Sequence, residues 1–413
     1  MKDGQEKLFF YDPLPAKAVS YNQLLNDLNR LSVYHPCRLP EDSYTIFLDL
    51  LSALIHEREL VLLDKDLSGY EIEKLDIPKS FFEAQKLDAV PLTTWSDILE
   101  KIKNAHRAKI VLFTSGTTGI PKKITHTIQS LTRSVKISIE RQDDIWGLAY
   151  NPTHIAGLQV FFQALLNLNS LVNLFELPKD HIHRLIDSYR ITNISATPTF
   201  FRLLFPAIRS FPTVKRITSG GERFDPLLKS QLQNMFPNAK FRNIYASTEA
   251  GTVLAAEGEI FSIKPSHAEL AKIVDQELLV HETLLGVSNR FVLDDGWYHT
   301  GDRVEIISSE PLTFRFLHRD NEMINVAGYN VNPYEVESVI NSHPFVRESR
   351  VYGKPNKLIG NVLHCDLVSL DASLDELQIR RFLQDKLQPY KIPRIINFVD
   401  TLDKTRTGKL KRS

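Results

Sequence analysis

One short apolar run, together with the loop that follows it, constrains this chain more than any other feature. Lys109 to Phe113 reads KIVLF, the pattern of a strand that is buried on both faces. It runs directly into Thr114 to Lys122, TSGTTGIPK, whose small hydroxyl residues, glycines and lysine suit phosphate oxygens. We expect a phosphate-binding loop at the end of a buried strand. A flexible polar turn is the alternative, and the spacing is not that of a P-loop.

Other apolar runs that end in turn residues repeat the pattern. Ile191 to Ser195 precedes the turn at Pro198, and Val214 to Thr218 precedes Gly220 and Gly221. Tyr44 to Ile55 has the apolar spacing of a helix. Alternation of strands and helices predicts α/β layering with mostly parallel strands.

The pattern changes in the last third of the chain. Short strands and turns follow Trp297, and a compact segment with an amphipathic helix over Pro333 to Ile340 begins near Asn332. The simplest interpretation is two domains joined near Arg319.

The bulk composition excludes some classes of protein. Lys+Arg and Asp+Glu number 50 each, so the basic excess typical of a nucleic-acid binder is absent. The 2 cysteines, Cys37 and Cys365, form no CxxC pair, which disfavours a zinc site or a disulfide framework. The first residues lack the apolar core of a signal peptide, and no apolar run reaches the ~18 residues of a membrane span. We expect a soluble cytoplasmic protein that binds no nucleic acid and has no membrane span.

Three further segments suit nucleotide chemistry, although each has a plainer interpretation alone. In Tyr245 to Glu249, YASTE, the ring can stack on a purine and the last two side chains can serve phosphate and Mg²⁺; a helix cap is the alternative. Asp302, after a Thr-Gly turn, can accept hydrogen bonds from ribose or simply stabilise the turn. Thr405 to Lys409 alone resembles a solvated basic tail.

Taken together and in order, these segments resemble the superfamily of adenylate-forming enzymes, which includes acyl-CoA synthetases, peptide-synthetase adenylation domains and luciferases. The resemblance extends from about Ile110 to the end and includes SGGE at Ser219 to Glu222 and HRDNEMINVAGYNVNPYEVE at His318 to Glu337. No carrier segment follows the final lysine motif. The chain therefore resembles a short, free-standing acyl- or aryl-CoA ligase such as o-succinylbenzoate-CoA ligase.

This resemblance implies an α/β multidomain fold. Residues 1–318 are expected to form a large, layered α/β domain that binds ATP and the acid, residues 319–321 a hinge, and residues 322–413 a small, mobile α+β domain. The region before Ile110 is shorter than in most members of the superfamily, so the N-terminal subdomain is expected to be abbreviated.

The resemblance also implies a set of nucleotide-binding residues. Gly220, Gly221 and Glu222 would lie beside the adenine, Tyr245 would stack on it, and Asp302 with Arg319 would bind the ribose. The β- and γ-phosphates would be held by the residues of the loop, namely Thr114, Ser115, Gly116, Thr117, Thr118, Gly119 and Lys122.

Four residues are implied to be catalytic. Thr248 would contact the α-phosphate, and Glu249 would ligate Mg²⁺. Lys409 would bridge the substrate carboxylate and the α-phosphate, and His154 would lie beside the acyl pocket. The chain departs from the usual pattern at Ala246, where glycine is common, but this change removes no catalytic group.

The implied function is that of an ATP-dependent carboxylic acid–CoA ligase, an acid–thiol ligase that forms AMP. A small aryl or aliphatic acid would become an acyl-AMP with release of pyrophosphate, and then a thioester of CoA; ATP, Mg²⁺ and CoA are therefore expected. Loading of a separate acyl carrier protein is an alternative, and a non-catalytic nucleotide-binding protein is an alternative of another class. The presence of Lys122, Glu249, Asp302 and Lys409 argues against the latter.

Overall fold

The computed structural model describes residues 6–65, 67–114, 122–207, 209–264, 268–326, 329–356, 360–405 and 409–411. The helices in these ranges are α1 Tyr21–Arg30, α2 Ser43–Ile55, α3 Gly69–Glu73, α4 Trp95–Lys103, α5 Ile128–Thr132, α6 Ile155–Leu165, α7 Lys179–Ser188, α8 Pro198–Leu203, α9 Pro226–Met235, α10 Pro333–Asn341 and α11 Glu376–Gln384. Short 3₁₀ helices cover Lys79–Phe82, Ile139–Arg141, Glu282–Leu284, Asp320–Glu322 and Pro389–Lys391.

The strands in the first part of the chain are β1 Leu8–Pro13, β2 Ala16–Ser20, β3 Val33–Tyr34, β4 Cys37–Arg38, β5 Glu59–Leu62, β6 Gln85–Lys86, β7 Lys109–Thr114, β8 Lys122–His126, β9 Ile145–Leu148, β10 Ser170–Asn173, β11 Asn193–Ala196, β12 Arg216–Gly220, β13 Lys240–Ser247 and β14 Gly251–Ala256. Those that follow are β15 Phe261–Ser262, β16 Ala271–Val274, β17 Glu277–His281, β18 Leu293–Asp294, β19 Trp297–Ser309, β20 Leu312–Arg319, β21 Ile324–Val326, β22 Tyr329–Val331, β23 Val346–Asn356, β24 Gly360–Ser369 and β25 Ile395–Phe398.

An 8-stranded sheet in the order β14-β13-β12-β11-β9-β10-β1-β2 dominates the larger part of the chain. The strands from β13 to β1 run parallel, and β14 and β2 pair antiparallel at the two edges. The central strands are almost entirely buried, because helices cover both faces of a parallel sheet. The predicted layered α/β fold is confirmed.

The helices that cover this sheet are apolar where they touch it. Helix α6 belongs to one core cluster, with Leu158, Phe161 and Phe162 all fully buried. Phe201 of α8 and Leu232 of α9 belong to a second cluster. Together the two clusters pack the helices onto the sheet.

The opening KIVLF run forms β7, within a 4-stranded sheet in the order β4-β5-β7-β8. Strands β4, β5 and β7 are parallel, and β8 pairs antiparallel with β7 so that Thr114 lies opposite Lys122. Ile110, Val111 and Leu112 are fully buried. The predicted buried strand is therefore confirmed.

Two further sheets account for the change of pattern after Trp297. Strands β15-β20-β19-β17-β16, with β18 on β19, form an antiparallel sheet of 6 strands. Strands β22-β21-β24-β23, with β25 on β24, form a sheet of 5 strands against α10 and α11. The first of these sheets ends at Arg319 and the second begins at Ile324, so residues 320–323 connect them; the domain boundaries and the hinge at 319–321 stay predictions.

The residues before the turn Asp320–Glu322, hereafter the larger part, and those after it, the smaller part, face each other through polar groups near α8 and α10. A small cavity there is lined by Arg202, Asp225, Glu337, Asn341 and Ser349, among others. Arg202 Nη2 forms an ion pair of 2.6 Å with Asp225 on the side of the larger part.

Strand boundaries were less predictable than strand positions. Strand β12 covers Arg216–Gly220, whereas the apolar run predicted Val214 to Thr218. Val214 is fully buried but lies in the loop, where it packs in the core with Phe211. In the described ranges, no helix is both long and apolar enough to cross a membrane.

Candidate active site

A single cavity of about 1550 Å³ brings together most of the predicted site residues. It lies where the carboxyl end of the parallel sheet meets the antiparallel sheet and the last residues of the chain. The predicted residues that line it are Lys122, His154, Gly221, Glu222, Tyr245, Thr248, Glu249, Asp302, Arg319 and Lys409.

The other predicted residues stand as follows. Thr114 ends β7 opposite Lys122, at the entry to the loop. Gly220 ends β12, and its carbonyl accepts a hydrogen bond of 3.3 Å from the buried Tyr150 hydroxyl. Ser115, Gly116, Thr117, Thr118 and Gly119 lie outside the described residues, as does Gly328. The phosphate-binding role of the loop therefore stays a prediction.

Tyr245, Asp302 and Arg319 form one hydrogen-bonded unit. The Tyr245 hydroxyl donates to Asp302 Oδ2 at 2.6 Å, and Arg319 donates from Nε and Nη2 to the two Asp302 oxygens at 2.8 and 2.9 Å. The Tyr245 ring stacks on Phe316, with 4.5 Å between centroids. Strands β13, β19 and β20 thus supply one residue each to this unit, which fixes the Asp302 carboxylate.

The electrostatics of this unit keep the tyrosine protonated. Burial, reinforced by the Asp302 carboxylate, raises the pKa of Tyr245 well above its ordinary value. The hydrogen bonds to Asp302 raise the pKa of Arg319, against the effect of burial. Asp302 is 9 % exposed and its carboxylate lies between two donors, which holds it in one orientation for further hydrogen bonds from ribose hydroxyls.

The turn that carries Thr248 and Glu249 joins β13 to β14 and is held through its backbone. The Thr248 carbonyl bonds at 2.8 Å to Nε2 of His126, a ring that is 1 % exposed. The Glu249 carbonyl accepts from the N–H of Gly286 at 2.7 Å. Both residues line the cavity.

His126 and Gly286 were not predicted as site residues. His126 ends β8 and also bonds Ser130 Oγ through Nδ1 at 3.1 Å, and burial lowers its pKa, so the ring is neutral. A Cβ on Gly286 would lie 2.7 Å from Ile124 Cγ2 and 2.9 Å from His126 Cε1. The sequence offered no signal for either, because both act through folding contacts with residues more than a hundred positions away.

His154 contacts Asp64, a residue that sequence reasoning also missed. His154 Nε2 lies 3.1 Å from Asp64 Oδ1, and Asn151 Nδ2 and the Thr153 hydroxyl also donate to this carboxylate. Burial raises the pKa of Asp64, but the hydrogen bonds from His154 and its neighbours outweigh burial and leave the pKa lowered. Asp64 follows β5, so it ties the 4-stranded sheet to the start of α6.

Lys409 reaches the cavity from the end of the chain. Residues 403–405 and 409–411, hereafter the Lys409 hairpin, are joined by hydrogen bonds from the N–H of Thr405 to the Lys409 carbonyl and from the N–H of Lys411 to the Asp403 carbonyl, at 2.6 and 2.9 Å. A Cβ on Gly221, whose φ is +85°, would lie 3.0 Å from Lys409 Cε. The lysine stem therefore packs over the glycine.

The ammonium of Lys409 lies in a partly desolvated, mixed-charge environment. Burial lowers its pKa, whereas the nearby Glu222 carboxylate opposes that shift. A partly buried cation beside a cavity is suited to neutralise an incoming anion.

The donor set at Glu249 fits Mg²⁺ that arrives with a nucleotide. Among the described residues, no group of three or more His, Cys, Asp or Glu could hold a metal ion alone. Mg²⁺ in nucleotide enzymes is usually bound by one or two carboxylates together with substrate phosphates. A single carboxylate facing the cavity meets that requirement.

Comparisons with known proteins place the chain in a family. The model of the AMP-binding enzyme family matches residues 52–280, more than half of the chain, and that of the AMP-binding enzyme C-terminal domain matches residues 335–409. The chain therefore belongs to the AMP-binding enzyme family.

Similar sequences within the family are CoA ligases. The chain is 28% identical to 4-hydroxybutyrate–CoA ligase 1 of Metallosphaera sedula, over 77% of this chain and 65% of the relative. It is 28% identical to 2-succinylbenzoate–CoA ligase of Listeria monocytogenes, over 85% and 76% of the two chains. The chain thus spans about two thirds to three quarters of the length of these relatives.

Solved structures share the fold at lower identity. ATP-bound MatB of Rhodopseudomonas palustris superposes with a TM-score of 0.71 at 19% identity, over 99% of this chain and 95% of the other. The o-succinylbenzoate CoA synthetase of Bacillus subtilis, in complex with its acyl-adenylate, gives 0.67 at 20% identity, over 98% and 94%. The predicted fold and the predicted membership of the AMP-binding enzymes are confirmed.

Proposed function

We propose that this protein is an ATP-dependent ligase that joins a small carboxylic acid to CoA. The observation that carries the proposal is the convergence on one cavity of Glu249, Asp302, Arg319 and Lys409, which come from four separate segments of the chain. The CoA ligase names of the similar sequences support the choice of CoA as acceptor.

The first half-reaction joins the acid to AMP. A carboxylic acid with a pKa of about 4 is ionised at neutral pH and needs no general base. One carboxylate oxygen attacks the α-phosphorus of ATP, the bond to the bridging oxygen breaks, and pyrophosphate leaves. Because an anion attacks a polyanion, the step needs positive charge and aligned donors where negative charge develops.

The residues of this chain have distinct proposed roles in that step. Lys409 lies between the carboxylate and the α-phosphate, and Thr248 donates to the α-phosphate. Asp302, oriented by Arg319 and Tyr245, accepts hydrogen bonds from the ribose hydroxyls. Glu249 holds Mg²⁺, which supplies charge neutralisation for the phosphates when bound.

The second half-reaction transfers the acyl group to CoA. The thiol sulfur attacks the acyl carbon, AMP leaves, and the thiol proton is released to solvent. In the proposed scheme the part after residues 319–321 rotates and withdraws Lys409, so that the acyl-AMP becomes open to the thiol. The position of the 3₁₀ turn Asp320–Glu322 between two separate sheets supports a hinge there.

The proposed acid is aryl or aliphatic. The cavity wall formed by the first part of the chain includes the apolar side chains Leu62, Leu67, Leu75 and Phe113. His154 and Asp64 lie beside these side chains and pair with each other.

We further propose a cytoplasmic location. Cys37 and Cys365 are both free and buried, as in a protein that folds under reducing conditions. ATP and CoA are also intracellular substrates.

The test is pyrophosphate release from ATP and Mg²⁺ across a panel of aryl, fatty and succinyl-aryl acids, with and without CoA. We expect release that depends on one class of acid and that CoA accelerates. Acid-dependent release that responds to an acyl carrier protein but not to CoA would contradict CoA as acceptor. Absence of release with every acid would contradict the proposed activity.

A further inference from the structure

Glu222 is the third residue after Ser219 in the SGGE segment and was predicted to lie beside the adenine. Its contacts point elsewhere. Oε2 accepts a hydrogen bond of 2.9 Å from the N–H of Thr199, in the first turn of α8. Oε1 accepts a hydrogen bond of 3.0 Å from the N–H of Leu410, in the Lys409 hairpin. Each carboxylate oxygen of Glu222 therefore already binds the backbone of the chain itself.

The second of these bonds connects the two parts of the chain next to the reactive lysine. Leu410 directly follows Lys409, so an acceptor fixed to its N–H limits where the lysine backbone can lie. The Lys409 stem then packs on Gly221, the residue before Glu222. The same segment thus holds the hairpin at its backbone and at its side chain.

Within the smaller part, the Lys409 hairpin is attached separately. Arg350 Nη1 donates to the Lys411 carbonyl at 2.7 Å, and Arg350 also pairs with Asp366. Asn397 Nδ2 donates to Asp366 at 2.8 Å and secures the pair. The hairpin therefore moves with β23 and β24, and its bond to Glu222 is made only when these strands are in the present position.

We infer that Glu222 holds the protein in the arrangement that carries out adenylation, a role that we call the latch. It binds the Leu410 N–H and faces the Lys409 ammonium, and so positions Lys409 for the first half-reaction. The inference rests on the proposed function for its kinetic consequences. A carboxylate suits this role because its hydrogen bonds with N–H groups are stronger than those of a neutral acceptor. When the smaller part rotates away, water replaces the Leu410 N–H at Oε1, so only the net contribution of the bond, about 10- to 100-fold, favours the adenylation arrangement.

Two variants test this role. Glu222→Gln keeps the shape of the side chain and one acceptor, whereas Glu222→Ala removes the shape and the acceptor. Glu257→Gln is the matched control, since Glu257 is an exposed acid in the same part of the chain and lies outside the cavity. Thermal unfolding of each variant shows whether it is folded.

Two kinetic measurements separate the half-reactions, using the acid that gives the most pyrophosphate release in the panel. Acid-dependent ATP–pyrophosphate exchange reports adenylation. Conversion of the corresponding synthetic acyl-AMP with CoA reports thioester formation. We expect both Glu222 variants to lose exchange by about 10- to 100-fold, the scale for a hydrogen bond to a charged group, and thioester formation to stay within about twofold of the wild type.

The pH profile of the exchange rate gives a further readout. Its alkaline limb would not move if the role of Glu222 were merely structural. The charged groups near the Lys409 ammonium are Glu222, Glu249, Glu322 and Arg319. Loss of the Glu222 charge removes a group that favours the protonated lysine, so we expect the alkaline limb to move to lower pH in Glu222→Gln.

A third measurement needs no turnover. Trypsin cleavage after Lys409, followed by mass spectrometry without substrates, reports release of the hairpin from Gly221. We expect about tenfold faster cleavage in Glu222→Gln than in the wild type or Glu257→Gln.

Equal loss of both half-reactions in the Glu222 variants would contradict the latch. An effect confined to the KM for ATP would also contradict it and would indicate that Glu222 binds the nucleotide. Unchanged exchange with unchanged proteolysis would overturn it too. If the wild type showed no exchange with any acid, the proposed function would fail, and the proteolysis comparison would still judge the latch.

Discussion

The replacement Gly286→Ala tests whether a close backbone contact fixes the turn of Thr248 and Glu249. The new Cβ would lie 2.7 Å from Ile124 Cγ2 and 2.9 Å from the Thr125 carbonyl oxygen. Optimal carbon contacts are about 3.5–4.0 Å, so the neighbours must move by ~0.8 Å or more. The Thr125 carbonyl cannot yield easily, since it accepts a hydrogen bond of 2.8 Å from the N–H of Val287.

The loss of stability in Gly286→Ala follows from this crowding. Ile124 is fully buried, and overpacking of such a site costs about 1–3 kcal/mol. A value of ~2 kcal/mol corresponds to a fall in Tm of about 4–8 °C. Because the Gly286 N–H also holds the Glu249 carbonyl, a shift here displaces the proposed Mg²⁺ ligand. We expect exchange to fall by about tenfold or more, the scale for misplacing a catalytic group.

Calorimetry and ATP–pyrophosphate exchange measure the two effects. Gly258→Ala is the control, because a Cβ there meets nothing within 4 Å and Gly258 is outside the residues that line the cavity. A Gly286→Ala protein with the Tm and exchange rate of the control would refute the reasoning.

Four further outcomes are expected. Lys409→Ala lowers exchange by about 10²-fold or more, while thioester formation from supplied acyl-AMP is retained; an unchanged exchange rate would remove Lys409 from catalysis. Because burial lowers the pKa of Lys409, wild-type exchange falls as pH rises through a value below the ordinary lysine pKa of about 10.4, as a pH profile will show. Tyr245→Phe keeps the stack on Phe316 but removes the bond to Asp302, so stability falls by about 1.5–3 kcal/mol in urea titration and the KM for ATP rises; no change in either contradicts the role of the bond. Asn321→Pro, which stiffens the turn at Asp320–Glu322, spares exchange and slows thioester formation, whereas equal loss of both would exclude a hinge there.

The sequence predicted the parts of the site that are written in short motifs. KIVLF predicted β7 because a run of buried apolar residues has few other uses, and YASTE predicted residues that do line the cavity. The antiparallel strands after Trp297 and helix α10 were also predictable, since turn residues and helical spacing are local signals.

What the sequence did not reveal depends on contacts between distant segments. Asp64, His126 and Gly286 carry no motif, and each supports the site only because the fold brings it to a partner. The hydrogen bond from Leu410 to Glu222 could not be predicted for the same reason, because it depends on where the end of the chain lies; the place of Glu222 beside the adenine stays a prediction.

The polar surfaces between α8 and α10 bear on the energetics of the proposed rotation. Arg202, Asp225, Glu337 and Asn341 line the small gap between the parts, and all are side chains that water solvates well. An apolar interface would lose about 25 cal/mol for each Å² exposed on parting, but these groups exchange one set of hydrogen bonds for another. Little hydrophobic free energy therefore opposes separation at this gap, and the balance between the two arrangements depends on how well water replaces these hydrogen bonds.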